Sequence, residues 1–311
     1  MFGLTRTLWI SLITVTCAAS ALAANWQNPA SPLTIGETFL LKSSRLHETR
    51  RINVYFPPEM PAASRPLPVL YMPDGGIGED FLHIAGLIQV SVGNRTMRPW
   101  LLVGIENTER RRDLTGPTEN DSDRRIATRI GGSQLFRDFL RAELMPEIQR
   151  RYKTTNESAI VGESLAGLFV MDTLRREPDL FETYIAIDPS LWWNNSEMLN
   201  DASTFFGGAA RSRKRLFLAW SSDAEPDIKR WACRLNATLL AACPSGLEFR
   251  FRAFPDESHA TIYQPAALVA FRSVLSTHTS AEDAVDTAAT HTADCKDLLS
   301  QGGLILRGAP N

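Results

Sequence analysis

Gly162-Glu163-Ser164-Leu165-Ala166, with Gly167 directly behind, places a serine between small residues at two-residue spacing. A hydroxyl on a sharp strand-to-helix turn needs small neighbours two positions away, because the turn crowds its own backbone. Ala166, the smallest side chain after glycine, stands where a second glycine is usual. Such a turn lifts the hydroxyl clear of the sheet and leaves a helix N-terminus behind it, where amides favour a developing oxyanion. The bland alternative is a serine that only caps a helix. A serine nucleophile also needs a base. The chain has five histidines. His278 and His291 fall in a polar tail, His47 precedes the main run of strands, and His83 sits in an apolar helical stretch. His259, in "FPDESHATIY", follows the last strand pattern and is the candidate base. The acid that would hold its imidazole is read as Asp223, at the end of "LFLAWSSD" between serine and histidine. Glu225, Asp188 and Asp227 stay open as alternatives. The oxyanion donors are expected to be backbone amides: Leu165, just after the serine, and Gly75 and Gly76, which follow "VLYMPD".

The elements that must position these groups are legible as short apolar runs. "SAIV" ends just before Gly162, and Leu165 to Arg176 reads as a helix, so the serine stands at a strand–turn–helix apex. "LPVLYMP", "WLLVGIEN", "TYIAIDPS", "RLFLAWSS" and "LEFRFRAFP" are further strand candidates, several of them continuously apolar as in parallel strands covered on both faces. "TFLLKSS" and "INVYFPP" form an N-terminal antiparallel hairpin. Gln134 to Tyr152 keeps Leu135, Phe136, Phe139, Leu140 and Leu144 on one face, with Ser133 as the expected N-cap and a kink expected at Pro146. Strands alternating with helices indicate an α/β sheet with helices on both faces.

Length and charge bound the rest. The chain has 311 residues, 44% of them hydrophobic, and a formal net charge of −2, which argues against a nucleic-acid partner. Arg6, the apolar stretch Leu8 to Val15 and Ala21-Leu22-Ala23 fit a secretory signal cleaved before Ala24, too short for a stable membrane span. The expected layout is a signal peptide over 1–23, one catalytic domain over 24–276, and a polar tail over 277–311. Export to the periplasm or beyond implies an oxidising compartment, and Cys233 and Cys243 are expected to pair, leaving Cys295 over. Because that leaves an odd count, pairings through Cys295 stay open.

Arg110, Arg111 and Arg112 follow a strand end, the side where such sheets bind ligands, and Arg112 is taken as a substrate contact for an anion. A solvated basic loop is the competing reading. Trp192 and Trp193 follow another strand end and are expected to line an acyl or aryl pocket. No histidine or cysteine cluster has metal-ligand spacing, and no phosphate loop or dinucleotide fingerprint is present, so no metal or cofactor is expected.

With "VLYMPDGG", "LLVGIENTERRRDLTGP", "GGSQLFRDFLRAELMPEIQRRY", "GESLAGLF", "FETYIAIDPSLWW" and "FRAFPDESHATI" in this order, the chain resembles the bacterial putative-esterase family of α/β-hydrolases over roughly Arg51 to Arg272. That family includes siderophore esterases, esterase D-like enzymes, feruloyl esterases and mycolyl transferases. The resemblance implies an α/β-hydrolase fold, Ser164 as nucleophile, His259 as base, and an acid after the strand that follows "SLWW", which favours Asp223. Asp188 departs from the family pattern, standing where relatives commonly carry serine. The implied activity is hydrolysis of a small-molecule carboxylic ester, with siderophore or aryl esters as candidate substrates. An acyltransferase on the same machinery and a non-catalytic binding protein on the same fold are the competing functions. Product analysis with a competing alcohol separates the first; covalent labelling by a fluorophosphonate separates the second.

Overall fold

The computed structural model describes residues 30–57, 65–199 and 214–276, apart from 225, 227–228, 235–236 and 238–246. The expected signal peptide and tail, and Glu225, Asp227, Cys243 and Cys295, therefore lie outside the described residues. Cys233 is buried, and its expected pairing with Cys243 is a proposal that non-reducing peptide mapping would test. The sheet and the helices that cover it belong to the unit that begins at Ile35.

Eight strands make one sheet: β1 (Glu37–Ser43), β2 (Glu48–Tyr55), β3 (Leu67–Pro73), β4 (Leu101–Ile105), β5 (Thr154–Glu163), β6 (Thr183–Ile187), β7 (Lys214–Ser221) and β8 (Leu247–Phe254). Their spatial order is β1-β2-β4-β3-β5-β6-β7-β8. The β1–β2 and β2–β4 pairs are antiparallel and every later pair is parallel. The N-terminal hairpin is therefore present, with Phe39 facing Ile52. Burial follows from composition. Every residue of β3, β4 and β6 is buried, as continuous apolar runs require when helices cover both faces.

The period of two along a strand divides the core. Val69, Tyr71 and Ile160 face one side, packed with Phe136, Phe139 and Phe169. Leu70, Met72, Ala159 and Val161 face the other, packed with Ile84, Ile88, Ala266 and Phe271. The helices follow as α1 (Phe81–Gly93), α2 (Arg110–Leu114), α3 (Asp121–Arg124), α4 (Ser133–Phe139), α5 (Met145–Arg151), α6 (Leu165–Arg176), α7 (Trp193–Ser196), α8 (described over 229–234) and α9 (Tyr263–Val274). α1 and α9 cover one face, α4 and α6 the other.

Two local expectations change. The residue that caps α4 is Gly132; Ser133 is the first helical residue, its N–H donating to Thr115 O. The interruption expected at Pro146 is a π turn over Leu140–Leu144 that leads into α5 with helical dihedrals on both sides. Proline has no N–H to offer the preceding turn, and a widened turn before it absorbs that gap without ending the helix.

In the parallel part of the sheet all strands point the same way, so their C-terminal ends bring together the residues after β3, β5, β6, β7 and β8. Ligands of open α/β sheets bind outside such ends.

Candidate active site

β5 stops at Glu163 and α6 starts at Leu165, which leaves Ser164 alone at the apex with φ 59° and ψ −121°. That positive φ is strained for a serine, and the surroundings hold it: Ser164 N–H donates to Ile187 O at 3.1 Å, and Ser190 N–H donates to Ser164 O at 3.0 Å. The glycine two residues earlier is a matter of space. A Cβ on Gly162 would lie 2.6 Å from the carbonyl carbon of Ala166 and 2.7 Å from its Cβ. Gly162→Ala is therefore expected to cost about 1–3 kcal/mol by overpacking. Urea unfolding would measure it, and activity should fall in step because the apex must move.

The apex carries its hydroxyl to His259. Ser164 Oγ lies 3.1 Å from His259 Nε2, and His259 Nδ1 lies 2.7 Å from Asp188 Oδ2. An ionised carboxylate can only accept, so Nδ1 holds the proton and Nε2 is left to accept from the serine hydroxyl. Asp188 sits just past β6, almost fully buried at 7% exposure. Its remaining capacity is filled by Ser221: the backbone N–H donates to Oδ1 at 3.0 Å and the hydroxyl to Oδ2 at 2.7 Å. Burial alone would raise the Asp188 pKa. The hydrogen bonds from His259 and Ser221 outweigh it and hold the carboxyl below its ordinary value. His259 moves the opposite way, raised first by its hydrogen bond to Asp188, against burial, and further by the charges of Glu163, Asp188 and Asp223.

The carboxylate on the imidazole is thus Asp188, in place of the expected Asp223. Sheet order gives the reason. β6 lies between β5 and β7, so the carboxylate at its end is one strand from the elbow while Asp223 is two strands away. Asp223 has a different contact: its Oδ2 accepts the backbone N–H of His259 at 3.1 Å. The turn around it is tied to the histidine loop twice more, by Ser222 N–H and Ser222 hydroxyl, both to Glu257 O.

The expected oxyanion donors divide. Leu165 N–H belongs to the first turn of α6, where amides have no acceptor within the helix. Gly75 N–H is engaged with Ile105 O at 3.0 Å, and Gly76 N–H with Glu79 Oε2 at 2.7 Å. Gly75 is glycine because it packs on β4: a Cβ there would lie 2.2 Å from Ile105 N and 2.3 Å from Gly104 Cα. Neither amide is open to a substrate in this structure.

Comparison with known proteins agrees with this architecture. Residues 43–243 match the family model described as "Putative esterase". The chain belongs to this esterase family. It is 28% identical to ferri-bacillibactin esterase BesA of Bacillus subtilis (strain 168), over 75% of this chain and 88% of that one. It is 31% identical to the siderophore triacetylfusarinine C esterase of Aspergillus fumigatus, over 66% of this chain and 73% of that one. Among solved structures, an IroE-like serine hydrolase from Shewanella oneidensis superimposes with a TM-score of 0.67 at 27% identity, covering 76% of this chain and 79% of that one. The fold is that of the α/β-hydrolases, and the protein is an esterase.

The esterase has a cavity of about 290 Å³ beside Ser164, bounded by Ser190, Trp192, Ala224 and His259 among others. Trp192 is 41% exposed and lines it. Trp193 does not: it is buried, and its Nε1–H donates to Gly116 O at 3.0 Å. Arg112 is also diverted from substrate. It donates to both Glu48 oxygens, at 2.8 and 3.1 Å, and to Asp113 Oδ1 at 2.7 Å. Asp113 is in turn paired with the fully buried Arg50, so Arg112 fastens α2 to β2. Arg112→Ala is expected to destabilise the esterase by about 1.5–3 kcal/mol, the range for hydrogen bonds to charged groups, without raising KM. Chemical denaturation beside ester kinetics would check both halves.

Two residues of the site had no role assigned from sequence. Ser190 Oγ lies 3.3 Å from Ser164 Oγ, and Glu163 Oε1 lies 3.3 Å from His259 Nε2. The signal for Glu163 was its type: an acid at the end of a buried strand, next to the nucleophile candidate. Among the described residues no group of three or more His, Cys, Asp or Glu side chains is arranged to hold a metal, and no helix is long and apolar enough to cross a membrane.

Proposed function

We propose that the esterase works through an acyl-enzyme on Ser164, with His259 as base and Asp188 as the carboxylate that orients it. The observation that carries this is the unbroken contact from Ser164 Oγ to Nε2 and from Nδ1 to Asp188, at 3.1 and 2.7 Å. The serine hydroxyl gives its proton to Nε2 as its oxygen bonds to the ester carbon. The carbonyl oxygen becomes an oxyanion received by Leu165 N–H. Collapse breaks the ester C–O bond, and the Nε2 proton leaves with the alkoxide. Water then gives a proton to Nε2 as it attacks the acyl carbon, and that proton passes to Ser164 Oγ as the acyl C–O bond breaks and the carboxylic acid leaves. Asp188 stays ionised throughout and stabilises the imidazolium. Because a base must be unprotonated to act, kcat/KM rises with pH through the His259 pKa, which lies above the ordinary imidazole value.

We infer a siderophore ester as the substrate class. The Bacillus and Aspergillus relatives act on ferri-bacillibactin and triacetylfusarinine C, and two features of this chain suit such ligands. Trp192 offers a flat ring beside Ser164. A second cleft of about 480 Å³ is lined by α2 and Arg129. There Arg110 is tied to Asp74 and Arg129 to Glu109, while Arg111 is exposed and has no ion pair among the described residues. Arg111 is the guanidinium placed to meet an anionic chelating group. Export is part of the same proposal, since the N-terminal pattern directs the chain outside the cytoplasm; mass measurement of mature protein beginning at Ala24 would test it.

The direct experiment is a substrate panel: catecholate trilactones and hydroxamate esters, each iron-free and ferric, against p-nitrophenyl esters, with products resolved by chromatography. Hydrolysis of the siderophores at kcat/KM above that of the simple esters is the expected result. Turnover confined to the simple esters would reject the substrate class while keeping the mechanism.

A further inference from the structure

The imidazole of His259 meets a carboxylate on each of its two nitrogens. Asp188 holds Nδ1 at 2.7 Å. On the other side Nε2 lies 3.1 Å from Ser164 Oγ and 3.3 Å from Glu163 Oε1, so the nucleophile and a carboxylate share one nitrogen. Glu163 is the residue directly before the elbow, and its side chain is only 16% exposed. We propose that Glu163 is a positioning residue that takes the Nε2–H of the protonated imidazole away from Ser164 and so sets the pH at which His259 becomes available as a base. This rests on the assignment of His259 as the base of the proposed mechanism.

The two protonation states of the ring make different contacts. The neutral ring presents a lone pair at Nε2, which attracts the serine hydroxyl and repels an ionised Glu163. The imidazolium presents a proton there, and a carboxylate acceptor forms a stronger, charge-assisted bond than a hydroxyl. One proton added to the site therefore breaks the serine contact and makes an ion pair. The same competition arises in the reaction, when the Nε2 proton must reach the leaving alkoxide.

Charged groups from four other elements surround the pair. Facing the ring are Asp188 after β6, Asp223 after β7 and Glu163 at the end of β5. Facing Glu163 are His259, Arg110 from α2, Asp80 at the start of α1, and Asp188. Burial raises Glu163 to about 7, with His259 and Arg110 pulling it down and Asp80 and Asp188 pushing it up. Carboxyl and imidazole are in contact, so their titration belongs to the pair. Removing a negative charge beside Nε2 takes away support for the imidazolium, so in such a variant the ring loses its proton at lower pH.

The test compares wild type and Glu163→Gln in two ways. In the first, kcat/KM is followed against pH with a neutral p-nitrophenyl ester, whose own charge does not change. The acidic limb of Glu163→Gln should move to lower pH by about half a unit or more. In the second, the His259 ring is titrated by NMR in Ser164→Ala and in the Ser164→Ala, Glu163→Gln double variant, neither of which needs to turn over. The double variant should show the lower imidazole pKa. Glu163→Ala repeats both measurements if the glutamine variant folds poorly. An unmoved kinetic limb together with an unmoved ring pKa overturns the proposal. A ring pKa that drops between the two Ser164→Ala proteins while wild type turns over no ester would uphold the Glu163–His259 exchange and reject the proposed mechanism, so the two failures are distinct.

Discussion

Ser164→Ala lowers kcat by roughly a million-fold, as removal of a triad nucleophile does elsewhere. The reason is geometric. Ser164 Oγ is the hydroxyl on Nε2, and the nearby Ser190 hydroxyl reaches Ser164 Oγ rather than the imidazole. Stability should change little, by about 0.5 kcal/mol or less. The backbone contacts of residue 164 to Ile187 and Ser190 hold the apex, and alanine keeps them. Fluorophosphonate labelling, read by mass spectrometry, should mark Ser164 in wild type and nothing in the variant. Pure Ser164→Ala that still turned over an activated ester within a thousandth of the wild-type rate would refute the acyl-enzyme mechanism.

Asp188→Asn has the next largest expected effect, a loss in kcat of about 10⁴-fold. The amide can offer its N–H to the ring, which drives the imidazole proton to Nε2 and removes the lone pair that Ser164 needs. The remaining activity should also extend to lower pH, because the hydrogen bond that contributes most to raising the His259 pKa is gone. Asp223→Asn is the control that gives the experiment its force. There the acceptor is needed only for the backbone N–H of His259, and an amide oxygen serves as well, so kcat should stay within about tenfold of wild type. Both variants would be assayed on one activated ester. The opposite pattern, with Asp223→Asn crippled and Asp188→Asn active, would return the orienting role to Asp223.

The contrast between these two aspartates marks how far sequence reaches. The continuous apolar runs are visible because parallel strands under two helical layers need no polar face, and β3, β4 and β6 are buried throughout. The serine elbow is visible because steric crowding leaves a trace in residue size, and a Cβ on Gly162 would run into Ala166. His259 stands out as the histidine beyond the last strand. The acid did not yield to the same logic. Asp188 and Asp223 both follow strand ends between serine and histidine in chain order; only the sheet order says which is nearer the elbow. Residue type also has more than one physical cause. Gly75 reads as a loop left open for substrate and is a glycine pressed on Gly104. Arg112 reads as an anion contact and is spent on Glu48 and Asp113. Trp192 and Trp193 are neighbours in sequence with opposite exposure, and only Trp193 turns inward, its N–H donating to Gly116 O.

His259 stands in the loop after β8, the last strand of the sheet, which pairs on one side only among the described residues. Ser164 and Asp188 directly follow β5 and β6, each of which is flanked by strands on both sides. Edge elements open at lower free energy than the core that supports them. Heating should therefore uncouple the histidine from its partners before the molecule melts. Residual activity would fade over a temperature range where far-ultraviolet circular dichroism still reports a folded sheet, and cooling from that range would restore it. The working lifetime of the enzyme is then governed by fraying at one margin, and a tether across the β7 and β8 turns would lengthen it more than any repacking of the centre.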